Sequence, residues 1–344
     1  TGSGDSDILS IGAGAAPNVM GAASIGGSAS YNYLSDDVTA KLVNPAITST
    51  NNVGVVAKSD ERLANYAGAL GLAAGGKVGV GAAVAVNELS GNTTAKIEGG
   101  TVTAKGSDAA DDAIAVHGGM ADDALISGFG DSSMWKASSL FHGRQQGKAA
   151  GIVVDSSATH SIASALASAG IAISGSAGVG LAGTVNINTI GGMTDAQVIN
   201  AALNDGSSSY GDVAVKAADY TNLGSFTVGA SIGGGLVGVS VGSGSTWNTI
   251  DRKTKAEVKS SADKKALKAQ KLTIAADSQQ ATTNLTIGTA IAGGKVAISA
   301  GNGTVRHILN GETTAAIDNM TVTTNGDTRV NASHESREYV RNIS

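Results

Sequence analysis

One phrase recurs five times along the chain and governs what it can fold into. It runs Asn32-x-Leu34 then Ala40-x-Leu42, Asn87-x-Leu89 then Ala95-x-Ile97, Asn188-x-Ile190 then Ala196-x-Val198, Asn248-x-Ile250 then Ala256-x-Val258, and His307-x-Leu309 then Ala315-x-Ile317. In each copy the Ala lies eight residues after the first position, and only His307 replaces Asn there. The period is about 55–60 residues, that of a unit which buries its apolar face only against neighbouring copies. A second phrase, Val/Ile-x-Ala-x-polar, follows as Val55-x-Ala57-x-Ser59, Val215-x-Ala217-x-Asp219, Ile274-x-Ala276-x-Ser278 and Val330-x-Ala332-x-His334. Its second-repeat form is altered, Ile152-x-Val154-x-Ser156.

Within each phrase apolar residues alternate with small or polar ones, as in Val213, Val215, Ala217 and Leu272, Ile274, Ala276. A period of two specifies strands with one buried face. Gly-rich runs at 68–86, 170–185, 229–241 and 288–300 carry β-branched residues and read as strands, because Gly disfavours helix interiors. Ser35-Asp36-Asp37, Ser90-Gly91-Asn92, Gly191-Gly192, Asn310-Gly311 and Asn325-Gly326 read as turns. The expected fold is all-β, a parallel β-helix or β-solenoid built from about five such repeats. With roughly 20 residues per rung it would be a rod of about 80 Å. The alternative is a β-roll of shorter coils, in single-chain or trimeric form. Recurrent Asn at one position predicts a stacked ladder of Asn32, Asn87, Asn188 and Asn248.

The chain reads as one repetitive unit over residues 1–344, with both ends inside a repeat and no capping unit, as for a section of a longer array. The gap between Asn87 and Asn188 holds an insertion at about residues 118–148, expected to protrude because loops tolerate added length and packed strands do not.

Aromatics make up only 3% of the chain, so small Ala, Val and Ile side chains must fill thin layers. The net charge of −5 provides no basic field for nucleic acid. Cysteine is absent, which excludes disulfides and thiol catalysis. No apolar run is long enough for a spanning helix, and direct membrane insertion is not expected. No cofactor or metal is expected.

The insertion concentrates Phe129, Met134, Trp135 and Phe141, residue types that anchor interfaces, and Asp131 is placed to cap a short helix carrying Met134-Trp135 and Leu140-Phe141. The bland reading is a satellite core that packs the loop onto the rod. A basic segment contains Arg252, Lys253, Lys255, Lys264, Lys265 and Lys268, with a short helix expected from Ser261 to Lys268. It suits an anionic glycan or lipid surface, or is a solvated flank. Gly238-Val239-Ser240-Val241-Gly242 matches a nucleophile elbow only in letters, since no helix follows. Gly71-x4-Gly76-Lys77 lacks the Ser or Thr of a phosphate loop. Asp108, Asp111, Asp112, Asp122, Asp123 and Asp131 form a solvated acidic loop, with calcium as the minority reading. The five His show no metal-ligand spacing.

The runs ending in Val185-x-x-Asn188-x-Ile190 and Ser245-x-x-Asn248-x-Ile250 continue as Thr194-x-Ala196-x-Val198 and Thr254-x-Ala256-x-Val258. In these the chain resembles the leukotoxin-type filamentous adhesins of anaerobic Gram-negative bacteria, over nearly its whole length apart from the insertion. The resemblance implies type V export, attachment at the outer surface, and a β-solenoid passenger that meets a host-cell protein or glycan. The chain also resembles the head repeats of trimeric autotransporter adhesins, without their coiled-coil heptads. A β-helix scaffold for a polysaccharide-active enzyme and an inert spacer are the other functional readings.

Overall fold

The computed structural model describes residues 1–107, 112–120 and 144–344, and among these there are strands and no helix. Three parallel sheets wind around a common axis. Sheet A stacks β1 (Gly2–Asn18), β5 (Val53–Ala74), β10 (Ile152–Ile173), β13 (Val213–Gly234), β16 (Leu272–Gly293) and β19 (Thr328–Ile343). Sheet B stacks β2 (Ala23–Leu34) with β3 (Val38–Val43), then β6 (Val78–Glu98), β11 (Ala177–Ile199), β14 (Val237–Lys259) and β17 (Val296–Asp318). Sheet C stacks the short β4 (Ala46–Ser49), β7 (Thr101–Ala104), β12 (Ala202–Leu203), β15 (Lys265–Ala269) and β18 (Met320–Thr324). Outside this winding, β8 (Ile114–Met120) and β9 (Arg144–Ala149) form an antiparallel hairpin.

The solenoid expectation holds, but the rung is larger than expected. Val53, Ile152, Val213, Leu272 and Thr328 are stacked register partners, so each repeat makes one complete turn through sheets A, B and C. Six strands at about 4.8 Å rise only about 24 Å, while a strand of 22 residues is about 70 Å long. The molecule is broad and shallow rather than an 80 Å rod. The register also realigns the second repeat: Val154, not Ile152, stacks on Val55, so the matching phrase is Val154-x-Ser156-x-Ala158.

Sheets A and B face each other as a long arch that widens from tip to base. At the tip the backbones nearly touch, and a Cβ on Gly170 or Gly229 would collide with the carbonyl oxygen of Leu181 or Ser243. Only Gly permits this approach. A polar layer of Ser, Thr and Asn follows. Next comes a layer of Leu63, Leu89, Ile162, Ile190, Leu223 and Ile250, all essentially solvent-free. At the base sheet C closes a triangle around Val55, Ile97, Val102, Val154, Val198, Leu203, Val215, Val258 and Leu267.

At the corner from sheet B to sheet C, Asn44, Gly99, Asn200 and Asn319 hold the left-handed region with φ between 46° and 68°, and the fourth repeat has Ser260 at this position. Asn and Gly are the residues that adopt it at least cost. Pro17 sits in β1, at the edge of sheet A, where a missing donor is tolerated. Several expected turns are strand interiors: β6, β11 and β17 run unbroken through Ser90-Gly91-Asn92, Gly191-Gly192 and Asn310-Gly311. Only Ser35–Asp37 and Asn325-Gly326 interrupt strands.

Candidate functional site

The repeated Asn residues lie on the inner face of sheet B and form a continuous ladder. Asn32 Nδ2 donates to Asn87 Oδ1 at 2.9 Å, Asn87 to Asn188 at 2.8 Å, and Asn188 to Asn248 at 2.8 Å. Facing groups on sheet A add rungs: Asn65 Nδ2 donates to Asn87 Oδ1 at 2.7 Å, and Asn248 Nδ2 to Ser225 Oγ at 3.1 Å. Parallel stacking repeats one side chain along the axis, so each amide donates to the next and accepts from the last.

Two layers nearer the base, beyond the Leu and Ile layer, the sequence stops repeating, and four charged or titratable side chains meet. Glu61 and His160 are register partners on β5 and β10, Asp219 is on β13, and Arg252 points in from β14. All four are fully buried. His160 Nδ1 lies 3.2 Å from Glu61 Oε2, and its Nε2 lies 3.8 Å from Asp219 Oδ2. Arg252 donates to Asp219 Oδ2 through Nε at 3.0 Å and Nη2 at 2.6 Å, and through Nη1 to the Gly91 and Gly191 carbonyls at 2.8 and 2.6 Å. Thr194 and Thr221 hydroxyls donate to the two oxygens of Asp219 at 2.7 and 2.9 Å.

Glycines opposite make the room. A Cβ on Gly91 would strike Glu61 Oε1, one on Gly192 would strike Arg252 Nη1, and one on Gly311 would strike the His334 ring. Gly192 also holds φ +114°. Gly91, Gly192, Arg252 and Gly311 are stacked partners, so three empty positions flank one very large side chain.

Burial, then the Arg252 charge, push His160 below the ordinary histidine range, against the pull of Glu61 and Asp219. Burial works to raise Asp219, but the Arg252 and His160 charges and the hydrogen bonds from Arg252 and Thr194 outweigh it and leave the carboxyl below its usual range. A histidine between two carboxylates has the parts of an acid–base centre. Here it is enclosed on every side, and the cluster acts as an internal ionic clasp joining three rungs.

Arg252 therefore does not belong to the exposed basic segment. The other lysines divide between faces, because the chain turns a corner at Ser260. Lys253 and Lys255 lie on the outer face of sheet B, paired with Glu312 at 3.4 Å and Glu257 at 3.1 Å. Lys264 is exposed before β15, and Lys265 and Lys268 lie on β15 in sheet C. The helix expected from Ser261 to Lys268 is absent: Ser261 N donates to Asn200 Oδ1 at 2.7 Å, and Leu267 stacks on Leu203. On the same outer face Asp195 is nearly buried, and burial, aided by Glu257 and opposed by Lys255 and Lys259, raises it to about 6.

Ser240 lies inside β14, buried, with Oγ 2.7 Å from Ser231 Oγ. Gly75 and Gly76 form the arch turn. Phe129, Met134, Trp135 and Phe141 lie outside the described residues, as do Asp108, Asp111, Asp122, Asp123 and Asp131. Asp112 Oδ2 accepts from Ser107 Oγ at 2.9 Å. Among the described residues no group of His, Asp and Glu is arranged to hold a metal ion. The β8–β9 hairpin is the stem of the insertion. It rests on the outer face of sheet A, where a Cβ on Gly54 would meet Ile114 and where Val116 is buried.

The ladder was signalled by repetition. The ionic clasp was not, because each member occurs once. Its only sequence signal is the loss of the repeat residue at aligned positions: Glu61 against His160, and Arg252 against two glycines. No family model, curated protein or solved structure matches this chain.

Proposed function

We propose that the chain is a stalk segment of a large secreted or surface-anchored bacterial adhesin of the autotransporter kind, presenting attachment elements to a host-cell protein or glycan. The observation that carries this reading is how the insertion joins the solenoid. β5 and β10 pair in unbroken register from Val53–Ile152 to Ala74–Ile173, although the insertion separates them in sequence. The repeat supplies a rigid platform, and the hairpin stem on its outer face joins to it a non-repeating segment rich in aromatic residues in sequence. Binding segments on loops held by a rigid scaffold are the common arrangement for recognition. The enclosure of His160, Glu61 and Asp219 supports a structural rather than a catalytic use of those groups.

The test compares host-cell and glycan-array binding by the whole chain and by a variant in which residues 121–143 are replaced by a short Gly-Ser turn, leaving the hairpin stem intact. Loss of binding with an unchanged circular dichroism spectrum supports the proposal. Binding that survives the replacement removes the insertion as the adhesive element. No binding by either form favours a spacer.

A further inference from the structure

The outer face of sheet B changes character partway along every strand. Towards the base it carries Lys41, Lys96, Glu98, Asp195, Lys255 and Glu257: Lys41 and Lys96 meet Glu98 at 2.6 and 3.2 Å, and Lys255 meets Glu257 at 3.1 Å. Towards the arch tip, outward positions on β2, β6, β11 and β14 carry no charge at all. Val80, Leu181 and Val241 form one row of register partners, and Val84 and Val185 begin another. The interior behind them is filled by Gly, Ala, Ser, Thr and Asn around Leu166. The larger apolar residues of these sheet B strand halves therefore face outward, where an ordinary sandwich turns them inward. Val84 and Val241 remain 40% and 41% exposed and Trp247 47% exposed, so the face is open in the single chain.

We infer that this face is a docking surface for a second copy of the same chain, packed sheet against sheet. The inference stands independently of the adhesive reading. Two arguments select the occupant. First, four of the five strands of sheet B, at about 4.8 Å by ten residues at about 3.3 Å, give about 630 Å², inside the range each partner contributes to a stable interface, and β17 adds an edge that bears Arg306. Second, the rows repeat with the strand spacing, and the surface sharing that spacing is another copy of this sheet. Leu181 and Val185 lie on β11, the middle of the five strands, at the centre of the patch.

The test is sedimentation velocity of the full chain up to about 100 µM, with Leu181→Glu, Val185→Ser and Thr189→Glu, the last on the same strand and face but beyond the apolar rows. Self-association by the wild type is expected, weakened at least about tenfold in dissociation constant by L181E, about 1.4 kcal/mol, more mildly by V185S, and left unchanged by T189E. Circular dichroism establishes folding, and V185S carries the test if L181E is unfolded. Phosphatidylcholine vesicles are co-sedimented in parallel. A wild type monomeric throughout, or association indifferent to L181E and V185S, overturns the inference. Vesicle binding by a monomer, abolished by L181E, overturns it in favour of lipid.

Discussion

Asn248 Nδ2 donates to His307 Nε2 at 3.0 Å, so the Asn ladder continues into the one repeat that lacks Asn. The contact requires a lone pair on Nε2, which places the ring proton on Nδ1, 2.7 Å from Glu338 Oε1. Burial holds His307 below its ordinary range, against the pull of Glu338. His307→Asn is expected to keep the ladder and fold normally. Asn188→Ala, in the middle, leaves the Asn87 donor and the Asn248 acceptor unpaired and should cost about 1–3 kcal/mol per stranded group in urea denaturation.

The two depressed histidines fix the sign of one pH effect. His160 and His307 are held neutral when folded, so the unfolded chain binds their protons first as pH falls through about 6.5. Their contribution is present above that pH and is lost below it. Melting temperature followed from pH 8 to 5 should fall, and the fall should be smaller in H307N.

Asp195 has the opposite sign. Its folded value of about 6 lies above the unfolded carboxylate, so its ionisation opposes folding once pH rises from about 4 through 6. Asp195→Asn is expected to stabilise the protein by about 1–3 kcal/mol at pH 8 and to be neutral at pH 4. Denaturant melts at the two pH values read the difference.

Arg252 joins β14 to Asp219 on β13 and to two glycine carbonyls on the rungs below. Arg252→Ala strands a buried carboxylate and should cost about 3–5 kcal/mol. Arg252→Lys should recover little, because an ammonium cannot reproduce the planar fork. Gly192→Ala should also destabilise, through φ +114° and collision with Arg252.

At the corner, Asn200 holds φ +56° and accepts from Ser261 N. Asn200→Val is expected to lower stability by about 1–2 kcal/mol or more, whereas Asn200→Gly should lose less, because Gly keeps the backbone conformation. Thermal melts of the two variants provide the comparison.

What repeats was legible in the sequence: the strands, the Asn ladder and the stacking of Leu89, Ile190 and Ile250 follow from spacing alone. The size of the rung was not, because a repeat of fixed length can wind the axis once or several times with the same alternation. Glycines misled for a physical reason. Gly91, Gly192 and Gly311 resemble turn residues, yet they sit inside strands to admit Glu61 and His334 from across the arch and Arg252 from the neighbouring strand. A contact between chain segments of different repeats leaves no local pattern, and the ionic clasp is built entirely of such contacts.

One repeat makes one turn, and every contact between rungs follows from that relation. Thr189 on β11 and Thr249 on β14 are register partners on the outer face of sheet B, and the chain has no native Cys. Paired Cys substitutions cross-linked with a short bifunctional reagent test this directly. Thr189→Cys with Thr249→Cys is predicted to link within one chain in high yield, while Thr189→Cys with Ser209→Cys, the neighbour a rung of roughly 20 residues would supply, stays unlinked. The reverse result would contradict the fold described.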